Sequence, residues 1–391
     1  MRLSRCKNFA GAGDRGGRVT RSVRRKKALF VVNSLAGGGA ERVCVYLACM
    51  MSQEIDVDIV TLYEDASIPE LEGVHIEALG LDRDAGKLSK FSQLIAARNR
   101  FDSFIVQREK EGRYDLVTAH LTASHLLASL SCLADRCLYV HHSLPSAVRQ
   151  LYPKLLLRYI ERVYSRYQSI CVSDGVKRQV IEQFGADPSN ITTIYNAVPY
   201  ERIREKMHES IPFEGRFLLC VGRLTQSKRF DRMLNAFAAG SFHQAYSLVF
   251  LGEGPLKDDL IRQAESLGIS AFVHFPGYVE NPYAWMRRSS AMVMTSDREA
   301  LPTVLIEGLM AGARVVSADC DFGPREILTG ELAEYLVQPD CINGYVEAIE
   351  RALGSYPSLD DDFIKRYGAD EVIQQYFMRY EAAMGSATEV E

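Results

Sequence analysis

The chain has 391 residues, too many for one ordinary domain and suited to two, and its 47% hydrophobic and 25% charged content excludes wholesale disorder. A formal net charge of -4 gives no sign of a nucleic-acid partner. Nine scattered cysteines without a CxxC pair exclude a disulfide scaffold, suggest no zinc site and predict a reducing, cytoplasmic setting.

The first 27 residues hold ten Lys or Arg against Asp14 alone, a local charge of +9. This head has almost no apolar residues, so residues 1–27 are expected to be disordered, and it lacks the apolar centre of a secretory signal. A GxGxxG at Gly11–Gly16 has no strand before it and is read as coincidence. Ala28–Asn33 then reads as a buried strand, followed by Gly37–Gly39 and a helix over Ala40–Met50. Strands at Val57–Leu62, Leu116–Ala119, Leu138–Val140, Ser169–Val172 and Ile191–Ile194 alternate with helices near Lys87–Glu109, Ser124–Ala134 and Asp174–Phe184. No stretch reaches the roughly 18–20 apolar residues that span a bilayer. Residues 199–215, with Pro199, Pro212 and the charged run Glu201–Glu209, break the rhythm and are read as a linker.

The alternation restarts at Phe217–Val221 and runs through helix Arg229–Ala239, strand Ser247–Leu251, helix Pro255–Leu267 and strand Phe272–Phe275. Helix Pro282–Arg288, strand Ala291–Thr295, helix Thr303–Ala311, strand Arg314–Ala318 and a helix from Pro324 follow. Alternation of this kind implies right-handed crossovers and a parallel sheet covered on both faces. The expected fold is α/β: two doubly wound, Rossmann-like parallel-sheet domains, residues 28–198 and 216–362, facing across a cleft. A helical stretch, 363–384, is expected to pack back on the first domain. Ligands of such folds bind at the carboxyl ends of the strands.

Four signals fall at those ends. In Glu299-Ala-Leu-Pro-Thr-Val-Leu-Ile-Glu307, two carboxylates flank a loop-to-helix junction, and the free amides near Leu301, Pro302, Thr303 and Val304 favour an anion. Acids that accept from hydroxyls beside amides that hold charge suggest a phosphate-linked sugar, although acids at helix starts are also common caps. Arg223 and Lys228, on the loop after Phe217–Val221, suit a diphosphate whose charge grows as it leaves, or simply a solvated basic turn. Gly38 and Gly39 let backbone amides approach a phosphate, and Arg42 stands where a dinucleotide fingerprint needs its third glycine. The strand Leu138–Val140 runs into His141 and His142, and His141 is placed either on the sugar and acceptor hydroxyl or on backbone. Of three Asp-x-Asp pairs, Asp56/Asp58, Asp82/Asp84 and Asp319/Asp321, only the last follows a strand end, and because none joins a His or Glu cluster with ligand spacing no metal is expected.

Together these pieces resemble the GT-B-fold retaining glycosyltransferases of family 4. The matching segments are GGGAER (37–42), the His141 strand end, CVSDGVK (171–177), IYNAV (194–198), VGRLTQSK (221–228), FLGEGP (250–255), FPGYVEN (275–281), the Glu-x7-Glu core (299–307) and GPREIL (323–328). The last is similar to bacterial N-acetylhexosamine transferases that extend lipid-linked or surface glycans. The resemblance implies that Arg223 and Lys228 bind a donor diphosphate, Glu299 the donor sugar and Glu307 the ribose. It also places the base at the backbone of Tyr278 and Val279. Arg229 departs from it, where many relatives carry glycine, as does Leu301-Pro302. The implied co-substrate is a nucleotide-diphosphate sugar, weighted toward UDP, with a glycan or polyprenyl-linked acceptor. The implied mechanism retains the anomeric configuration and needs neither metal nor other cofactor.

Residues 144–168 interleave Arg149, Lys154, Arg158, Arg162 and Arg166 with Leu151, Leu155, Leu156 and Ile160, a pattern for a helix lying on an anionic membrane face or for a solvated helix over a core. The expected location is cytoplasmic, at the inner face of the membrane. The competing readings are another sugar-phosphate enzyme of the same fold (an epimerase or phosphorylase) and a non-catalytic nucleotide-binding protein.

Overall fold

A computed structural model describes residues 24–35, 38–64, 71–82, 84 and 87–385; the Gly11–Gly16 motif, Gly37 and the first 23 residues of the basic head lie outside the described residues. The first domain opens with β1 (Lys27–Val32), buried at every position, and α1 (Gly39–Met51). There follow β2 (Asp56–Tyr63), β3 (Val74–Leu81), α2 (Lys87–Arg108), β4 (Leu116–His120) and α3 (Thr122–Leu130). β5 (Leu138–His141), α4 (Pro145–Leu151), α5 (Lys154–Arg166), β6 (Ser169–Cys171), α6 (Asp174–Phe184) and β7 (Ile191–Thr193) complete it. The seven strands form one parallel sheet in the order β3-β2-β1-β4-β5-β6-β7. The basic head was expected to run through residue 27. Instead, residues 24–27 are ordered: Arg24 donates to the Asp115 carboxylate at 2.7 Å, and the Lys27 ammonium donates to the Arg108 carbonyl at 2.7 Å.

The stretch read as a linker contains α7 (Tyr200–Lys206), whose Ile203 is fully buried. The second domain holds β8 (Phe217–Val221), α8 (Phe230–Ala239), β9 (Ser247–Leu251), α9 (Lys257–Ser266), β10 (Val273–Gly277) and α10 (Pro282–Arg288). After these come β11 (Ala291–Met294), β12 (Arg298–Glu299), α11 (Thr303–Met310), β13 (Val315–Ala318), β14 (Asp321–Phe322), α12 (Gly323–Ile327), β15 (Leu336–Val337) and α13 (Ile342–Gly354). Its sheet order is β10-β9-β8-β11-β13-β15, with a separate two-stranded piece, β12-β14. The chain then forms α14 (Asp361–Arg366) and α15 (Ala369–Gly385), and α15 packs on α1 and β4 of the first domain through Val372, Tyr376 and Tyr380.

The two domains also meet at the start of α6. The amides of Asp174 and Gly175 each donate to the Glu326 carboxylate at 2.8 Å, where a helix start favours negative charge. Phe322 lies directly over Gly175: a Cβ there would sit 2.1 Å from the Phe322 Cβ. Gly175→Val is therefore expected to pry this contact open. Small-angle scattering would read a larger radius of gyration at unchanged circular dichroism, and an unchanged radius would refute the contact's role.

Candidate active site

The donor-side loop is built by backbone packing. β8 runs into Gly222, whose φ of 150° turns the chain across the end of β9. Gly222 N–H donates to the Leu251 carbonyl and Leu224 N–H to the Glu253 carbonyl, both at 2.9 Å. This stacking needs Gly252 and Gly254, since a Cβ there would lie 2.1 Å from the Gly222 oxygen and 2.4 Å from the Leu224 oxygen. The loop then presents Arg223 to solvent and turns Lys228 inward. The Thr295 hydroxyl, close to the carbonyls of both Lys228 and Arg229, anchors the turn.

Arg229 occupies the left-handed region at φ 50°, a conformation that glycine adopts without strain, which fits the glycine that the family resemblance implies at this position. Its guanidinium pairs with Asp231 at 2.9 Å and Asp297 at 3.3 Å, which offsets part of the backbone strain.

Lys228 Nζ donates to Glu299 Oε1 at 2.6 Å, and both side chains remain partly open to solvent. Glu299 is held by β12, which pairs Glu299 with Phe322 of β14. Pro302 sits at the cap of α11 rather than inside its first turn, and Leu301 and Pro302 are buried. Thr303 and Val304 follow in the first turn, half-buried.

Glu307, one turn further, is buried, and burial pushes its carboxyl pKa up against the opposing pull of Arg42, Thr303 and Arg202. Arg42 comes from α1 of the other domain and lies near both Glu307 and Tyr283, so Gly38 and Gly39 at the start of α1 lie beside the second domain. Tyr278 is exposed, and Val279 lines a cavity of about 610 Å³ with Phe213, Asn281 and Trp285. None of Arg223, Lys228, Glu299 and Glu307 lines that cavity, so it flanks the charged cluster rather than containing it.

The structure thus joins Lys228 to Glu299 and brings Gly38, Gly39 and Glu307 to one domain boundary. It does not place His141 on the cleft. That ring is 3% exposed, packs edge-on against Tyr164 and His125, and meets the Ser169 hydroxyl at 3.2 Å. The last residue of β5 points into the helix layer, and its neighbour His142 takes the opposite face. Of the aspartate pairs, Asp58 is buried against Arg108 and Tyr114, and Asp319 pairs with Arg325. Sequence reasoning missed Arg202, Tyr283 and Glu326 as boundary residues, and noted Arg42 only as a misfit glycine. Their one signal was charge beside a motif.

His125, under α5, gives a pH signature. Burial pushes its pKa from 6.5 down to about 4. Between those values the unfolded chain binds the extra proton, so this stability is complete above about pH 6.5 and falls toward pH 4, by up to about 1.4 kcal/mol per pH unit. Urea melts of wild type and His125→Gln from pH 7 to 5 should differ in slope by about one proton; parallel slopes would refute the assignment.

Two facing doubly wound lobes with a cationic loop and a Glu-x7-Glu helix start between them define a glycosyltransferase of the GT-B fold. Residues 37–202 match the family model Glycosyltransferase Family 4 and residues 202–367 match Glycosyl transferases group 1, and the chain belongs to this family. It is 26% identical over 353 residues, 88% of this chain and 92% of the relative, to a Campylobacter jejuni N-acetylgalactosamine-N,N'-diacetylbacillosaminyl-diphospho-undecaprenol 4-alpha-N-acetylgalactosaminyltransferase. It is also 26% identical to the lipopolysaccharide 1,6-galactosyltransferase of Escherichia coli K12, over 56% of this chain and 61% of that one. Among solved structures, Anabaena HepE in complex with UDP and glucose superposes with a TM-score of 0.67 at 18% identity, covering 93% of this chain and 100% of HepE. The lipopolysaccharide outer core galactosyltransferase WaaB gives 0.67 at 20% identity, covering 92% and 99%. No helix among the described residues is long and apolar enough to cross a membrane.

Proposed function

We propose that this glycosyltransferase moves a hexose or N-acetylhexosamine from a UDP-sugar to a lipid-linked or polysaccharide acceptor in cell-surface glycan assembly, with retention of anomeric configuration. The observation that carries the reading is the Lys228–Glu299 pair at the carboxyl ends of the second sheet, with Arg223 on the same loop. The named substrates of the Campylobacter relative and the UDP held by HepE support the acceptor and donor classes.

In this reading the diphosphate takes Lys228 and Arg223, and Glu299 turns to the sugar hydroxyls. The acceptor oxygen bonds to the anomeric carbon on the face from which the phosphate oxygen leaves. The acceptor proton passes to that departing oxygen, so no protein base is used. Cationic side chains and helix amides carry the growing charge, and transfer is expected without added Mg²⁺. On the acceptor side, Leu151 and Leu155 are exposed beside Arg158, Arg162 and Arg166, a surface suited to anionic lipid.

The test is transfer of labelled sugar from a panel of UDP-sugars to an undecaprenyl-diphosphate-linked glycan, with the product's anomeric configuration read by NMR. An inverted product overturns the mechanism, and no transfer from any nucleotide-sugar overturns the function. Salt-sensitive binding to anionic liposomes, lost in Leu155→Glu, tests the membrane contact.

A further inference from the structure

Away from the charged cluster, three side chains from three elements converge behind α1: Cys44 of α1, His120 at the end of β4, and His142 just past β5. One ligand atom from each lies within 4.8 Å of the other two. Cys44 and His120 are fully buried and His142 is half-buried.

The surrounding hydrogen bonds fix the tautomer of His120. The Thr118 hydroxyl donates to the Leu29 carbonyl at 3.3 Å, so it accepts from His120 Nε2 at 3.0 Å. The proton is thereby held on Nε2, and Nδ1 is left as a lone pair 2.8 Å from His142 Nε2. An imidazole whose far nitrogen is tied to an acceptor is the arrangement that orients histidine on a metal. At His142, Nδ1 is buried with no partner among the described residues. With His120 Nδ1 accepting, His142 Nε2–H donates the 2.8 Å bond, and a cation seated between the two nitrogens would take the place of that proton.

We propose that Cys44, His120 and His142 form a binding site for a divalent cation of borderline softness, with Zn²⁺ the best fit, leaving one coordination position open. Thiolate and imidazole select this class over Mg²⁺ or Ca²⁺, which take oxygen ligands. Zn–N bonds near 2.0–2.1 Å in a tetrahedron place two nitrogens about 3.3 Å apart, so loading widens the His120–His142 contact by about 0.5 Å. Binding releases the Cys44 thiol proton to solvent and moves the His142 proton from Nε2 to Nδ1, so that both imidazoles ligate as neutral rings. The cation would staple α1, and with it Gly38 and Gly39, to the ends of β4 and β5. The ligands stand at 44, 120 and 142, without the paired spacing of a zinc motif, so only the fold reveals them.

Tag-free, full-length protein from zinc-supplemented culture is expected to carry about one zinc per chain by elemental analysis. His142→Gln and Cys44→Ser should lose it, and Cys132→Ser, at an exposed thiol outside the cluster, should keep it. Cobalt-loaded wild type should show a thiolate charge-transfer band that His142→Gln weakens. The cobalt spectrum decides the matter even where Cys44→Ser does not fold. Wild-type protein that holds no zinc, gives no cobalt band and shows no thermal shift with either metal overturns the site. Zinc retained in full by both ligand variants overturns it as well.

Discussion

Lys228→Ala is expected to lower sugar transfer by about 10²–10³-fold, the range seen when one group that stabilises developing negative charge is removed. Lys228 and Glu299 hold each other at 2.6 Å, each side chain partly open to solvent. Both side chains are mostly buried, so the variant leaves the Glu299 carboxylate without its partner and is expected to lose some stability beside its activity. The Lys228 ammonium becomes most useful when the phosphate–sugar bond lengthens and charge accumulates on the leaving oxygen. The loss should accordingly fall on kcat more than on KM. Single-turnover transfer beside a thermal melt checks both halves. A fall below about tenfold, or a melting temperature that collapses with the activity, would remove Lys228 from the chemistry.

Gly252→Ala should cost about 3–5 kcal/mol of stability, among the larger effects expected of a single methyl. Gly252 sits at φ 134°, a conformation that L side chains avoid, and the new carbon would lie 2.1 Å from the Gly222 oxygen. Neither partner has room to retreat, because Gly222 N–H is bonded to Leu251 and Gly252 N–H to Gly277 at 2.8 Å. The contact is backbone on backbone, so no rotamer can relieve it. Gly185→Ala is the control: its φ is 64°, nothing lies within 4 Å, and about 1 kcal/mol is expected from the lost helix cap alone. Urea melts of the two variants check the ranking, and equal losses would contradict it. Since Gly222 leads into Arg223 and Lys228, the Gly252 variant should also transfer sugar poorly while still folded.

Much of this architecture was legible because parallel-sheet strands buried on both faces are nearly pure apolar runs. Phe217–Val221 and Ser247–Leu251 fall where their sequences place them. β3 was not named, since it is an edge strand that exposes His75 and Glu77 and reads as polar. α7 was hidden behind Pro199, which caps that helix rather than excluding it. The Glu-x7-Glu helix start and the loop carrying Lys228 were visible as local chemistry at strand ends. What spacing cannot report is which way the last residue of a strand points, and that decided the case of His141. Nor can it report contacts made across the domain boundary, such as Arg42 beside Glu307 or Glu326 on the start of α6.

The docking of α15 on α1 and β4 also sets a timetable for synthesis. On the ribosome, the opening β-α-β elements emerge early, with the surface later covered by Val372, Tyr376 and Tyr380 still bare. The whole second lobe must be translated before that helix arrives. The nascent front half therefore shows an oily face for most of elongation, a natural target for ribosome-associated chaperones. Any fragment meant to isolate the front half would need residues 369–385 returned to it, in trans or through a short tether.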